Sequence, residues 1–243
     1  MIPFRSFLQE KGSISIEFNS TFNLVSIPEL EKSMDKVFLE LPEYITIIKR
    51  QKMDQGMGYA LNANFQLSKL FSLGLYSKYL TSKSENDFRF IEDNSFIGLP
   101  ADTSYGVYTQ KVTNFVLGVY SDFALNNLKF WPNNNWLSRL ESKVTIGIGY
   151  SYSQFLKFTY SNNYKNGVLG ELNTASGIHL NGKLKFGYRL ITSPIFSSIG
   201  IHVGYQYLMS NPLKEGKDST FKENAPRLSF SGLTAGIYLT FGK

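Results

Sequence analysis

Cysteine is absent from the 243 residues, which excludes a disulfide scaffold, thiol catalysis and any zinc or iron–sulfur centre built on thiolates. No run of 18 or more apolar residues occurs, so the chain encodes no transmembrane helix. Histidine is limited to His179 and His202, too isolated from each other to announce a metal site. There is no glycine-rich phosphate loop ending in Lys-Ser/Thr. A dense Lys/Arg tract is missing as well: the net charge is +6 and the pI near 9.2, but the basic residues are dispersed, which argues against a nucleic-acid partner. The opening MIPFRSFLQEKG lacks the continuous apolar core of a secretory signal, so an exported protein is expected to be represented here by its mature part or a fragment.

What the chain does have is aromatic and alternating. Hydrophobic residues make up 42%, charged residues 18% and aromatics 15%, with 15 Tyr and 20 Phe, a balance that favours strands over helices. The mean hydropathy of −0.16 separates soluble from membrane barrels poorly, because every second residue of a spanning strand faces a polar lumen. In Ser229 to Lys243, Leu233, Ala235, Ile237, Leu239 and Phe241 alternate with Thr234, Gly236, Tyr238 and Thr240. A period of two with unlike faces is a strand between two environments.

The same period predicts eight strands, near 13–24, 57–67, 71–82, 112–123, 143–158, 176–190, 195–208 and 228–241. One face carries residues such as Ile16, Phe18, Leu61, Phe65, Leu73, Leu117, Ile148, Leu180 and Ile201. The other carries small and polar residues, among them Glu17, Asn62, Asn64, Lys78, Asn114, Asp122, His179, Asn181, Lys183, Lys185, Arg189, His202 and Gln206. In the last strand the alternation slips near Phe230 to Gly232, as a bulge would make it.

Ser68-Lys69-Leu70 and Ile191-Thr192-Ser193-Pro194 are tight connections, whereas 25–56, 83–111, 159–175 and 209–227 are long. Short turns alternating with long loops match a transmembrane barrel with the long loops outside the cell and the turns in the periplasm. The segment Ala124 to Ser142 is the exception, long where a turn is expected. Its Trp131 and Trp136 suit the membrane interface, as do Tyr150, Tyr205 and Phe241. A helix over about 27–41 is expected in the first long loop: Ser26 and Glu29 have capping-box spacing, Leu30, Met34, Val37, Phe38 and Leu41 share a face, and Pro42 stops it. That face is expected to pack on the barrel rim or on its own loop.

A soluble carrier of the lipocalin type would turn the apolar face inward. Eight strands enclose too little room for Tyr59, Phe65, Phe71, Phe115, Phe123, Tyr150, Phe186 and Tyr205 with their aliphatic partners. The apolar face therefore belongs in lipid. On these strands and the terminal GIYLTFGK, the chain resembles the small eight-stranded outer-membrane barrels of the OmpA/OmpX-like group, particularly the Bacteroidetes-type barrel domains, although Gly242 and Lys243 follow the terminal aromatic. The resemblance implies one barrel domain over 1–243 in the outer membrane of a Gram-negative bacterium. It further implies insertion by the barrel-assembly machinery and contact with outer-membrane lipid and lipopolysaccharide; it transfers no catalytic residue.

The fold expected is thus an all-β, eight-stranded antiparallel up-and-down transmembrane barrel with one short amphipathic helix in the first long loop. Its polar lumen is expected to be plugged by paired charges, Glu17 with Lys185 or Lys183 and Asp122 with Arg189. No cofactor, metal or catalytic residue is expected, and the specific role falls to the long loops, as a surface interaction protein with a protein partner there or as an envelope-complex subunit. The alternatives are an anion-permeable channel through the basic lumen, a lipid A-modifying enzyme using His179 or His202, and the soluble carrier.

Overall fold

The structure, a computed structural model, describes residues 12–39, 41, 43–92, 102–125, 139–161, 169–190, 196–214 and 225–242. The elements run β1 (Ile14–Leu24), α1 (Pro28–Leu39), β2 (Ile45–Lys49), β3 (Gln55–Gln66), β4 (Phe71–Glu92), β5 (Asp102–Ala124), β6 (Leu140–Ser161), β7 (Leu169–Arg189), β8 (Phe196–Ser210) and β9 (Phe230–Phe241). Every pairing is antiparallel. β1 pairs with both β3 and β9, and β5, the last strand of the sheet order, pairs back with β4, so eight strands close into an up-and-down barrel. The ninth, β2, is a short flap paired with β4 alone. At the turn end, Ser68 organises the β3–β4 connection: its Oγ accepts from the Leu70 and Phe71 amides at 3.3 and 3.1 Å.

Strand alternation places the apolar face outside. Leu75, Val119, Ile148 and Leu180 are register partners in one row around the wall, and all four are exposed. The apolar stretch is nine residues in β4 and β5 (Phe71 to Tyr79, Phe115 to Phe123) and eleven in β8 (Ile199 to Met209), against the 9–11 or so that a tilted strand needs to cross a bilayer. Tyr59, Tyr79, Phe115 and Tyr152 are successive partners along the upper edge of this belt. Phe71 opposes Phe123 along the lower one, where Phe196 and Phe241 pack with ring centroids 4.9 Å apart. An apolar band between aromatic girdles is a lipid-facing surface, and a soluble carrier requires the opposite arrangement.

Four expectations change. The segments 83–111 and 159–175 are largely strand: β4 and β5 stay paired from Phe71↔Phe123 up to Glu92↔Asp102, and β6 and β7 up to Thr159↔Leu169. Beyond Tyr79 the outward residues turn polar, with Lys83 and Glu85 replacing the apolar ones, so a lipid-length window misses a ladder that continues into water. β2 was not expected, being too short to show a period. There is no bulge at Phe230 to Gly232: the β8–β9 register is regular from Leu208↔Phe230 to Ile199↔Leu239 and shifts only at Phe196/Ser198. Phe230 simply points inward, into an apolar cluster. Finally, Ser26 and Glu29 form no capping box. Ser26 exchanges backbone hydrogen bonds with Ser231 (2.9 and 3.2 Å), Glu29 accepts from the Arg227 amide at 3.0 Å, and α1 starts with Pro28 at its first position, which needs no amide partner. Trp131, Trp136 and the turn at 191–194 lie outside the described residues.

The barrel interior has two tiers. The tier towards the long loops is apolar: Leu80, Val112, Phe155, Ala175, Leu208 and Phe230 from six strands meet Val25, Ile27, Leu30, Met53, Leu213 and Leu228. Leu30 and Met34 of α1 are buried over it, as the helical face required, while Phe38 packs edge-on to Tyr108. The tier towards the turns is polar. If the outer face lies in lipid, Val119→Arg at the middle of the belt lowers the unfolding free energy of the refolded barrel in vesicles by roughly 2–4 kcal/mol. Denaturant titration checks this, and an unchanged midpoint would contradict the membrane assignment.

Candidate functional site

The polar tier is centred on Lys185 of β7, whose side chain is fully buried. Its Nζ lies 2.8 and 3.1 Å from the two carboxylate oxygens of Glu17 on β1 and 3.5 Å from Asp122 Oδ1 on β5. Glu17 Oε1 also accepts from Asn19 Nδ2 at 3.0 Å and Asn62 Nδ2 at 2.9 Å, and Thr145 donates its hydroxyl to Asp122. The rings of Tyr120 and Tyr238 stand 5.5 and 5.9 Å from Nζ. Burying three charges is tolerable only when each is paired and its remaining lone pairs and protons are engaged; here one ammonium serves both carboxylates, and Asn19, Asn62 and Thr145 engage further lone pairs.

Above it a second chain of contacts crosses the lumen. Tyr76 Oη lies 3.0 Å from His179 Nδ1 and accepts from Asn181 Nδ2 at 3.3 Å; His179 Nε2 is 3.5 Å from Gln206 Oε1, which also accepts from Lys78. Gln206 Nε2 donates to Asn23 Oδ1 at 3.1 Å. Asn114 Oδ1 accepts from Ser151 at 3.0 Å. Asn64 and His202 are buried on the inner wall as well, and neither ring nitrogen of His202 has a hydrogen-bond partner among the described residues.

Asp122 and Arg189 do not meet, contrary to the sequence expectation. Arg189 Nε instead donates to Glu141 Oε1 at 2.6 Å near the lower rim, with Lys143 at 3.4 Å from the other oxygen. Strand stagger lifts Asp122 to the height of Lys185, which counting from strand ends could not reveal. Glu141 was missed because β6 begins at Leu140 rather than 143; its inward parity with Thr145 was the available signal. Tyr150 and Tyr205 face outward from β6 and β8, and Phe241 closes the lower girdle.

Three lumen tyrosines are the largest residues in this tier, and inward glycines make their room. A Cβ on Gly74 would fall 2.4 Å from the Tyr120 ring, and one on Gly149 2.7 Å from Tyr76 Oη. At Gly187 the obstruction is Tyr238 Oη at 2.2 Å.

Among the described residues neither histidine is hydrogen-bonded to a serine or a carboxylate, so the geometry by which a hydrolytic triad is recognised is not assembled there. Nor do three or more His, Asp or Glu side chains among them converge on a point where a metal could sit.

No family model matches the chain, and no curated protein matches it in sequence. Solved structures similar to it include Ail, the attachment invasion locus protein of Yersinia pestis, in complex with the heparin analogue sucrose octasulfate. The identity is 9%, over 96% of this chain and 100% of that one, with a TM-score of 0.43. The outer membrane protein OprG from Pseudomonas aeruginosa follows at 8% identity, 96% and 97% coverage and a TM-score of 0.40. Neisserial surface protein A is similar at 12% identity, 93% and 96% coverage and 0.39. Similarities this distant decide nothing about role.

Two predictions follow the geometry. Glu17→Ala costs on the order of 3–5 kcal/mol by stranding Lys185, and adding Lys185→Ala returns part of that loss; a double-mutant cycle with no coupling would contradict the pairing. Gly187→Ala costs about 1–3 kcal/mol through overpacking, and Tyr238→Phe, which removes the obstructing oxygen, restores stability in the double variant but not in the wild-type background.

Proposed function

We propose that this chain is a non-conducting, non-enzymatic barrel of the Gram-negative outer membrane that acts through its long-loop end, as a surface interaction protein or as a subunit of an envelope complex. The observation that carries the reading is an exposed patch on the part of the sheet that rises beyond the lipid belt. β2 adds to the edge of the β4 extension, with Thr46↔Arg89 and Arg89↔Tyr105 in register and the Ile91 amide donating to Tyr44 O at 2.9 Å. This brings Tyr44, Ile48, Ile91 and Tyr105 near one another around Arg89, with 56, 57, 40 and 51% of their surfaces exposed.

Lipid does not account for this patch, because the charged residues Lys83 and Glu85 separate it from the belt. Tyrosine and arginine with aliphatic neighbours on a rigid ladder have the composition of a protein-binding surface. The closed lumen supports the same reading. An apolar tier that spans the bore and is covered by α1 leaves ions no hydrated route, and eight strands leave little room for one. Barrel-assembly machinery during insertion, and lipopolysaccharide around the girdles, are the further partners expected of a protein of this kind.

Two measurements test the proposal on the full chain. In planar bilayers the refolded protein is expected to give no steady conductance; a stable open level would favour the channel reading. A photo-crosslinking side chain placed at Tyr105 on intact cells is expected to yield a discrete protein adduct that is lost with Tyr44→Asp, whereas the same probe at Tyr205 reports lipid alone. Conjugation at neither position, or at both equally, would overturn it.

A further inference from the structure

The charges of the polar tier do not balance. Lys185 makes the direct ion pairs with both carboxylates, Glu17 and Asp122. That leaves Lys78 and Lys183, 3% and 8% exposed, on β4 and β7. Both line one small cavity with Ala60, Asn62, Thr145 and Asn181, under the rings of Tyr76 and Tyr120, and no carboxylate lines it. Lys78 gives one hydrogen bond, to the neutral Gln206, while Lys183 makes none among the described residues. Counting the polar tier alone, between the Glu141–Arg189 rim and the apolar tier, three ammonium groups face two carboxylates among the described residues, an excess of one positive charge in a narrow bore where an unpaired charge is expensive.

We propose that this cavity binds one small monovalent inorganic anion, of the halide class, between Lys78 and Lys183. Two ammonium groups keep up to five unused N–H donors, and a single negative charge completes the neutralisation of the tier. The space is small and its wall is donor-rich, which suits a spherical ion better than a polyatomic one. The ion is held rather than passed, because the apolar tier closes the bore above it. The inference concerns the lumen alone and stands or falls independently of the loop-end surface.

Crystals of the full chain grown in bromide test it by anomalous scattering at the bromine edge. The expected result is one interior peak within hydrogen-bonding reach of both ammonium groups, absent from Lys183→Met and from Lys78→Met. In solution, the wild-type barrel in detergent is unfolded in chloride and in gluconate at equal ionic strength, gluconate being too large for the cavity. The unfolding midpoint is expected to rise with chloride concentration, as mass action on a folded-state site requires, and to be indifferent to gluconate. These arms need no substitution, so they stand even if a variant fails to fold. Folded crystals without an interior bromine peak, or equal midpoints in the two salts, would mean that water beside neutral lysines fills the space and would overturn the proposal.

Discussion

Inside a bilayer no water is available to satisfy a backbone amide, so a sheet can cross only if it has no edge. The β1–β9 ladder, eight partners long from Ile16↔Phe241 to Asn23↔Thr234, removes that edge, and the rest of the architecture is a consequence. Closure with eight strands fixes a narrow bore. A narrow bore cannot solvate Glu17, Asp122 and three lysines separately, so they must share one another, and bulky residues such as Tyr76, Tyr120 and Tyr238 fit only opposite glycine.

The two tiers divide the work of filling that bore. The polar tier is specific, since its hydrogen bonds and ion pairs each have a direction and a partner on a named strand. The apolar tier is not directional, and it resembles the interior of a soluble protein, with Phe155, Leu208 and Phe230 wholly or almost wholly buried under a helix. Hydrophobic burial therefore operates here in an enclosed chamber, out of contact with lipid, while the far larger apolar area on the outside gains nothing from burial within the protein. α1 belongs to this chamber: its Leu30 and Met34 are part of the filling, while Glu31 flanks them and Glu29 and Lys36 lie on the exposed side.

Most of the barrel was legible because a period of two survives wherever the two faces differ. Eight strands, their order and their inward residues follow from it, as does the Glu17–Lys185 contact, which only requires similar heights across a narrow bore. The signal failed where the faces stop differing. Above Tyr79 the outer face becomes polar like the inner one, so the ladder's continuation to Glu92 shows no alternation, and at Phe230 the inner face becomes apolar like the outer one, which mimics a slip in register. Stagger between strands is set by closure geometry, not by composition, and this is why Arg189 was assigned to Asp122 when it meets Glu141. The patch around Arg89 was invisible for a similar reason: it depends on β2, five residues long, finding the margin of a strand that begins more than twenty residues later.

The contact between Glu17 and Lys185 joins the first strand of the barrel to the sixth, across 168 positions of sequence. Because inward residues recur every second position, a sheet that zipped shut two residues out of step would keep its apolar face in lipid and its backbone amides paired, and neither solvent nor hydrogen bonding would penalise the error strongly. The carboxylate would. Displaced by two residues, roughly 7 Å along the strand, Glu17 would leave Lys185 and be stranded in a medium that does not forgive it. The buried charge thus serves as a checksum on assembly, a test applied once, at the moment the barrel closes, that distinguishes the correct shear from its nearest imitation.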